Sequence, residues 1–164
     1  MNMTLTTAPT QTGTEIFERI LAAPGSLVAL EGGDTEVLID QLRVLVRHTG
    51  QSVYLWQPEI GLDSLRDAHA RVPGSQRLSQ VLRLVQQSIH FGVYLLRGVQ
   101  LPLPATDLSL LRQLARVQKG HVRRVVLLDA PTALVDSLND VIARVSCAIK
   151  PELRPRLRDG RWLL

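Results

Sequence analysis

Cysteine occurs once in this 164-residue chain, as Cys147. A single thiol cannot make an internal disulfide or a multi-cysteine metal site, and a reducing cytoplasm fits. Its neighbours Val141, Ile142, Val145 and Ile149 are apolar, so Cys147 reads as buried core rather than as a nucleophile. Aromatic residues make up only 4%, which leaves the core to Leu and Val. No apolar run approaches the length that spans a bilayer. The Thr-rich opening has no charge before Glu15, no basic n-region and no apolar h-region, which excludes a signal peptide. There is no Gly-x-Ser-x-Gly elbow and no Ser-His-Asp order. The four histidines, His48, His69, His90 and His121, lack a second ligand at metal spacing. No metal and no cofactor is expected. Nineteen Lys and Arg against fifteen Asp and Glu leave a net charge of +4. That excess permits an anionic partner without requiring one.

Strong α/β patterning is present. Met1 to Gly13 reads as a disordered lead, and residues 14–164 as one domain. Ile16, Phe17, Ile20 and Leu21 form one helical stripe that ends at Pro24-Gly25. Ser26 to Leu30 is a first strand. Asp34 or Thr35 caps the next helix, whose buried stripe is Leu38, Leu42, Leu45 and Val46, with Gly50 beyond its end. Val53 to Trp56 is a second strand, and Gly61-Leu62-Asp63 leads into a short helical stretch. Leu78, Val81, Leu82, Val85 and Ile89 mark an amphipathic helix. Val93 to Leu96 is the third strand. Thr106 or Asp107 caps a helix running to Lys119-Gly120. Val125 to Leu128 is the fourth strand, delivering Asp129 at its carboxyl end. Leu134 to Ala143 reads as a final short helix or a helical turn, and Arg161 to Leu164 as an edge strand or an end. Strands alternating with helices predict a three-layer α/β/α fold around a mainly parallel sheet of four or five strands.

Two junctions invite a chemical reading. Leu30-Glu-Gly-Gly-Asp-Thr-Glu36 stands where a phosphate-binding loop would stand, and Gly32, Gly33 and Thr35 are residue types such a loop uses. The lysine is absent and the loop is short. Glu31, Asp34 and Glu36 would repel a triphosphate. Asp129 stands where a magnesium-binding acid would follow its strand. These four residues, Gly32, Gly33, Thr35 and Asp129, are the nucleotide-site candidates of an alternative reading. A receiver-type pocket is disfavoured, because the third strand ends in Arg97-Gly98 without an acid. Arg112, Arg116, Lys119, Arg123 and Arg124 crowd one helix and its exit and are candidates for binding an anion or nucleic acid. No stacking aromatics are interleaved with them.

Strands two to four resemble a known arrangement. Val53-Tyr-Leu-Trp56 with the step Gly61-Leu62, then Val93 to Pro102, then Arg124 to Pro131, are similar to the N-terminal, non-ATPase domain that precedes the AAA module in a family of bacterial and chloroplast ATPases. The similarity covers roughly residues 26 to 150. It implies a degenerate P-loop, RecA-like topology that has lost nucleotide chemistry. The sequence stops before any AAA module, so no ATPase activity carries over. The expectation is a cytoplasmic, non-catalytic module that binds a protein partner, either itself or a separate ATPase. A nucleotide-binding switch or ATPase accessory protein, and a basic-patch nucleic-acid binder, are the alternatives.

Overall fold

A computed structural model describes residues 13–67, 71–116 and 123–147. Residues 1–12 of the expected lead Met1 to Gly13, the segment 161–164, His69, Lys119 and His121 lie outside the described residues. Helix α1 spans Gly13–Ala22, β1 Leu27–Glu31, α2 Thr35–Thr49 and β2 Val53–Gln57. Two short strands follow, β3 at Gly61–Ser64 and β4 at Arg71–Val72. Then come α3 (Leu78–Gln87), β5 (Gly92–Arg97), α4 (Ala105–Leu114), β6 (Arg123–Leu128), α5 (Thr132–Ser137) and β7 (Ala143–Ser146).

The described strands form one seven-stranded sheet in the order β4-β3-β2-β5-β6-β1-β7. Strands β2, β5, β6, β1 and β7 are parallel, while β3 and β4 add an antiparallel margin. In chain order the parallel strands therefore stand second, third, fourth, first, fifth. The register Leu27↔Val125 and Val93↔Arg124 puts alternate residues of neighbouring strands on common faces. Val28, Leu30, Val93, Leu95, Val126 and Leu128 meet α1 and α2 on one face. Leu27, Tyr94, Leu96, Val125 and Leu127 meet α3, α4 and α5 on the other. Both faces are covered, which explains why the central strands read as unbroken apolar runs.

Local chemistry accounts for the helix ends. Asp34 accepts from the Val37 N–H at 3.2 Å. Gly50 closes α2 at φ 73°, its N–H bonded to the Val46 carbonyl. Arg123, only 5% exposed, donates to the carbonyls of Val85 and Gln86 at 2.7 Å each, and so satisfies the end of α3.

Seven expectations need correction. Gly13, expected in the lead, opens α1 and is buried. The helix expected to run to Lys119-Gly120 ends at Leu114. Ile89, expected on the stripe of α3, lies beyond that helix's end at Gln87 and is 66% exposed. The sheet has seven strands rather than four or five. Gly61 opens a strand, not a helical stretch, because Leu62 pairs with Trp56 and its N–H is held by Ser75 Oγ at 2.9 Å. The last helix is shorter than Leu134 to Ala143. Leu138 ends α5, and Ala143 begins β7, which pairs with β1 and buries Val145. Neither Thr106 nor Asp107 caps α4. Pro104 takes that place, its carbonyl accepting from the N–H groups of Asp107 and Leu108, and Asp107 is buried in the first turn.

Candidate functional site

Strands β1 and β6 are neighbours, yet the chain leaves them toward opposite faces. From β1 it turns into α2 on one face, and from β6 into α5 on the other. Such a switch point at the carboxyl edge is where open α/β sheets place their ligands. The crevice here is about 200 Å³ and is lined by Leu30, Glu31, Gly32, Asp129, Ala130 and Thr132. That is smaller than the roughly 300 Å³ at which ligand sites begin.

Gly32, Gly33, Thr35 and Asp129, nearly a hundred residues apart at their extremes, come together. Thr35 donates its hydroxyl to Asp129 Oδ2 at 2.7 Å. Asp129 itself takes φ 54°, a left-handed conformation uncommon outside glycine and Asx residues. Gly32 and Gly33 both have positive φ, 78° and 79°. Only Gly32, Gly33 and Asp34 link β1 to α2. A phosphate-binding loop needs more chain than this to wrap its ligand.

The rest of the edge is tied by its own side chains. Arg144, reaching from β7, pairs with Glu31 at 3.0 Å and with Asp136 at 2.7 Å. Arg97 pairs with Glu36 at 2.6 Å. Two arginines therefore neutralise carboxylates where a metal or a phosphate chain would otherwise meet them. Cys147 lies beneath the turn, its N–H bonded to the Glu31 carbonyl at 2.9 Å and its thiol donating to the Gly32 carbonyl at 3.0 Å. Burial pushes that thiol above its ordinary pKa, which keeps it protonated and unreactive. Among the described residues no group of His, Cys, Asp and Glu is arranged to hold a metal ion.

The basic candidates are separated. Arg112 is paired with Asp140 at 2.9 Å and donates to the Ser137 carbonyl at 2.8 Å. Its guanidinium holds the Asp140 carboxyl below the usual range. Arg123 is buried against the end of α3, and Arg124 donates to the Leu21 carbonyl at 3.0 Å. Arg116 is exposed. Lys119 lies outside the described residues. Three of the five side chains are thus engaged within the fold.

A second cleft, which sequence reasoning passed over, opens at the same edge between β2 and β5. It is about 500 Å³ and touches Trp56, Glu59, Ile60, Val99 and Leu103. Its one sequence signal is Gln57-Pro58-Glu59-Ile60, a turn with glutamate where glycine is usual.

The fold is thus an open α/β sheet whose switch point is closed by a three-residue turn and by internal ion pairs. The family model for the SpoVK-like AAA ATPase N-terminal domain matches residues 13–147. The chain belongs to that family, and the resemblance carried by strands two to four is borne out. No curated protein matches it. Among the described residues no helix is long and apolar enough to cross a membrane.

Proposed function

We propose that this domain is a non-catalytic, pseudo-NTPase-like module that binds another protein, a separate ATPase or a further copy of itself, in the cytoplasm. One observation carries the reading. The switch-point crevice is occupied by the protein's own bonds, Thr35 to Asp129 and Arg144 to Glu31 and Asp136. A site already satisfied in this way leaves little for a nucleotide to gain. The three-residue link between β1 and α2 and the missing lysine support the same conclusion. Membership of a family of ATPase N-terminal domains is consistent with an accessory role. The strand order supports a RecA-like ancestry over the flavodoxin-like order 2-1-3-4-5, in which the first strand lies beside the second and third. Residues 14–164 then form one domain behind a short lead.

A second reading draws on the convergence of Gly32, Gly33, Thr35 and Asp129. As a nucleotide switch the domain would bind ATP or GTP with magnesium, and Asp129→Ala would abolish binding. Calorimetric titration of ATP, GTP and magnesium into the purified protein, with light scattering on the same sample, decides between the two. The proposal expects no heat from nucleotide and a mass above the monomer's, alone or with the ATPase added. Magnesium-dependent binding lost in Asp129→Ala would replace it with the switch.

A further inference from the structure

Strand β2 turns into β3 through Gln57-Pro58-Glu59-Ile60, closed by the Ile60 N–H on the Gln57 carbonyl at 3.3 Å. Proline presets the first corner. Glu59 takes the second at φ 68°, a position that tight turns of this kind give to glycine or asparagine. A glutamate there costs stability, and the fold does not use its carboxylate. Among the described residues Glu59 has no hydrogen bond and no ion pair. Gly98, at φ 86°, lies so close beneath Pro58 that a Cβ would come within 2.8 Å of the proline Cδ. The turn is therefore seated against the loop from β5 to α4, and the 500 Å³ cleft opens between them.

Trp56 and Val99 floor the cleft and are almost wholly buried. The indole is fixed by its Nε1–H on the Ser75 carbonyl at 2.8 Å. Leu78 and Leu103 are half-buried walls. Ile60, 40% exposed, lines the cleft, and Leu101, 43% exposed, stands on the facing loop. Exposed apolar rims around a formed cavity mark interaction sites. Among the described residues Glu59 is the only charged one lining the cleft, and Gln57 and Gln100 line it as well. The site thus offers an apolar floor, one unpaired carboxylate and amide groups that match a peptide backbone. Among the described residues a phosphate-bearing ligand would meet only negative charge there.

We infer that this cleft docks an extended segment of a partner protein, one that presents a large apolar side chain beside an arginine or lysine. The inference rests on the interaction-module reading and gives it a place on the fold. The apolar side chain sits over Trp56 and Val99, and the cation pairs with Glu59. Glutamate at a corner suited to glycine gives up stability for a charge that binding uses, so stability and binding should respond in opposite directions when it is removed.

The test uses the whole 164-residue chain, ¹⁵N-labelled. The probes are the blocked peptide Gly-Arg-Leu-Leu-Gly and its twin with glutamate in place of arginine. At millimolar peptide, the arginine form should shift the Trp56 indole and the amides of Ile60, Gly98 and Val99, and should bind at least fivefold more tightly than its twin. Glu59→Gly should melt at a higher temperature and lose the preference for arginine, while Ile60→Asp should lose both peptides. Unmoved cleft resonances, equal affinity for the twins, or a preference that survives Glu59→Gly would each overturn the assignment. Self-association abolished by Ile60→Asp would also overturn it, giving the cleft to a second copy. If light scattering shows the assembly with the ATPase intact in Ile60→Asp, the cleft is wrong and the module reading stands. Absence of any assembly in the unaltered protein, together with silent peptides, removes both.

Discussion

Asp107 is 5% exposed, and its Oδ1 meets no hydrogen-bond donor. It sits in the first turn of α4, where the helix dipole favours a negative charge. Burial works the other way and raises its pKa, only partly offset by the positive charge of Arg83. The sign of its effect on stability follows. Because the folded-state pKa lies above the unfolded one, the carboxyl favours folding while it is protonated, below the unfolded carboxyl range. That contribution is lost as pH rises through the folded value. Asp107→Asn should therefore match the parent near pH 3 and exceed it at pH 7 by about 1 kcal/mol, the scale of one unsatisfied buried polar group. Thermal melts of both proteins across that range check this. An Asn variant less stable at pH 7 would mean that the charge is satisfied after all. Arg123, equally buried, gives the contrast, since its guanidinium meets two carbonyls at the end of α3.

The turn from β1 into α2 is confined by what lies under it. A Cβ on Gly33 would come to 3.1 Å from both the carbonyl oxygen and the sulfur of Cys147, in a residue already at φ 79°. Gly74, at φ 68°, has open space around it. Alanine at either place meets the left-handed penalty of roughly 1 kcal/mol. Only Gly33→Ala must also displace Cys147. Urea unfolding should show Gly74→Ala losing about 1 kcal/mol and Gly33→Ala distinctly more, and equal losses would mean that the turn yields without strain. Elements differ in how far the sequence announces them. The central strands were legible because burial on both faces leaves continuous runs such as Val125 to Leu128. Asp34 and Gly50 announced both ends of α2. β3 was hidden because Asp63 and Ser64 are polar and Glu59 disguises the turn before it. β7 was hidden because Val141, Ile142 and Val145 follow a helical spacing as readily as a strand's. The pairing of Thr35 with Asp129 has no local signal, since it depends on which strands become neighbours.

At the largest scale the described residues form two apolar layers separated by one sheet. Leu42 of α2 and Leu82 of α3 are completely buried on opposite sides of it. Each truncation to alanine should cost about 2–5 kcal/mol. With no shared partner, the double variant should equal the sum within about 0.5 kcal/mol. Chemical denaturation of the singles and the double measures this, and a large deviation would mean that the sheet transmits repacking from face to face. At this scale the sequence was least informative. Alternating strands and helices announced an α/β fold, but strand order arises from contacts between distant segments and leaves no periodicity to read.

That order has a consequence for how the protein comes into being. β1 emerges early, yet its partners are β6 and β7, so Leu27 to Leu30 must wait for Val125 to Leu128 and Ala143 to Ser146. Through most of synthesis, at roughly 5–20 residues per second, the strand that will lie one place in from the sheet's edge has neither neighbour. Late closure of distant parallel pairs makes folding slow and leaves an apolar strand open to other chains meanwhile. A nascent chain halted before Arg123 should accordingly be captured by chaperones, and one released after Cys147 should not.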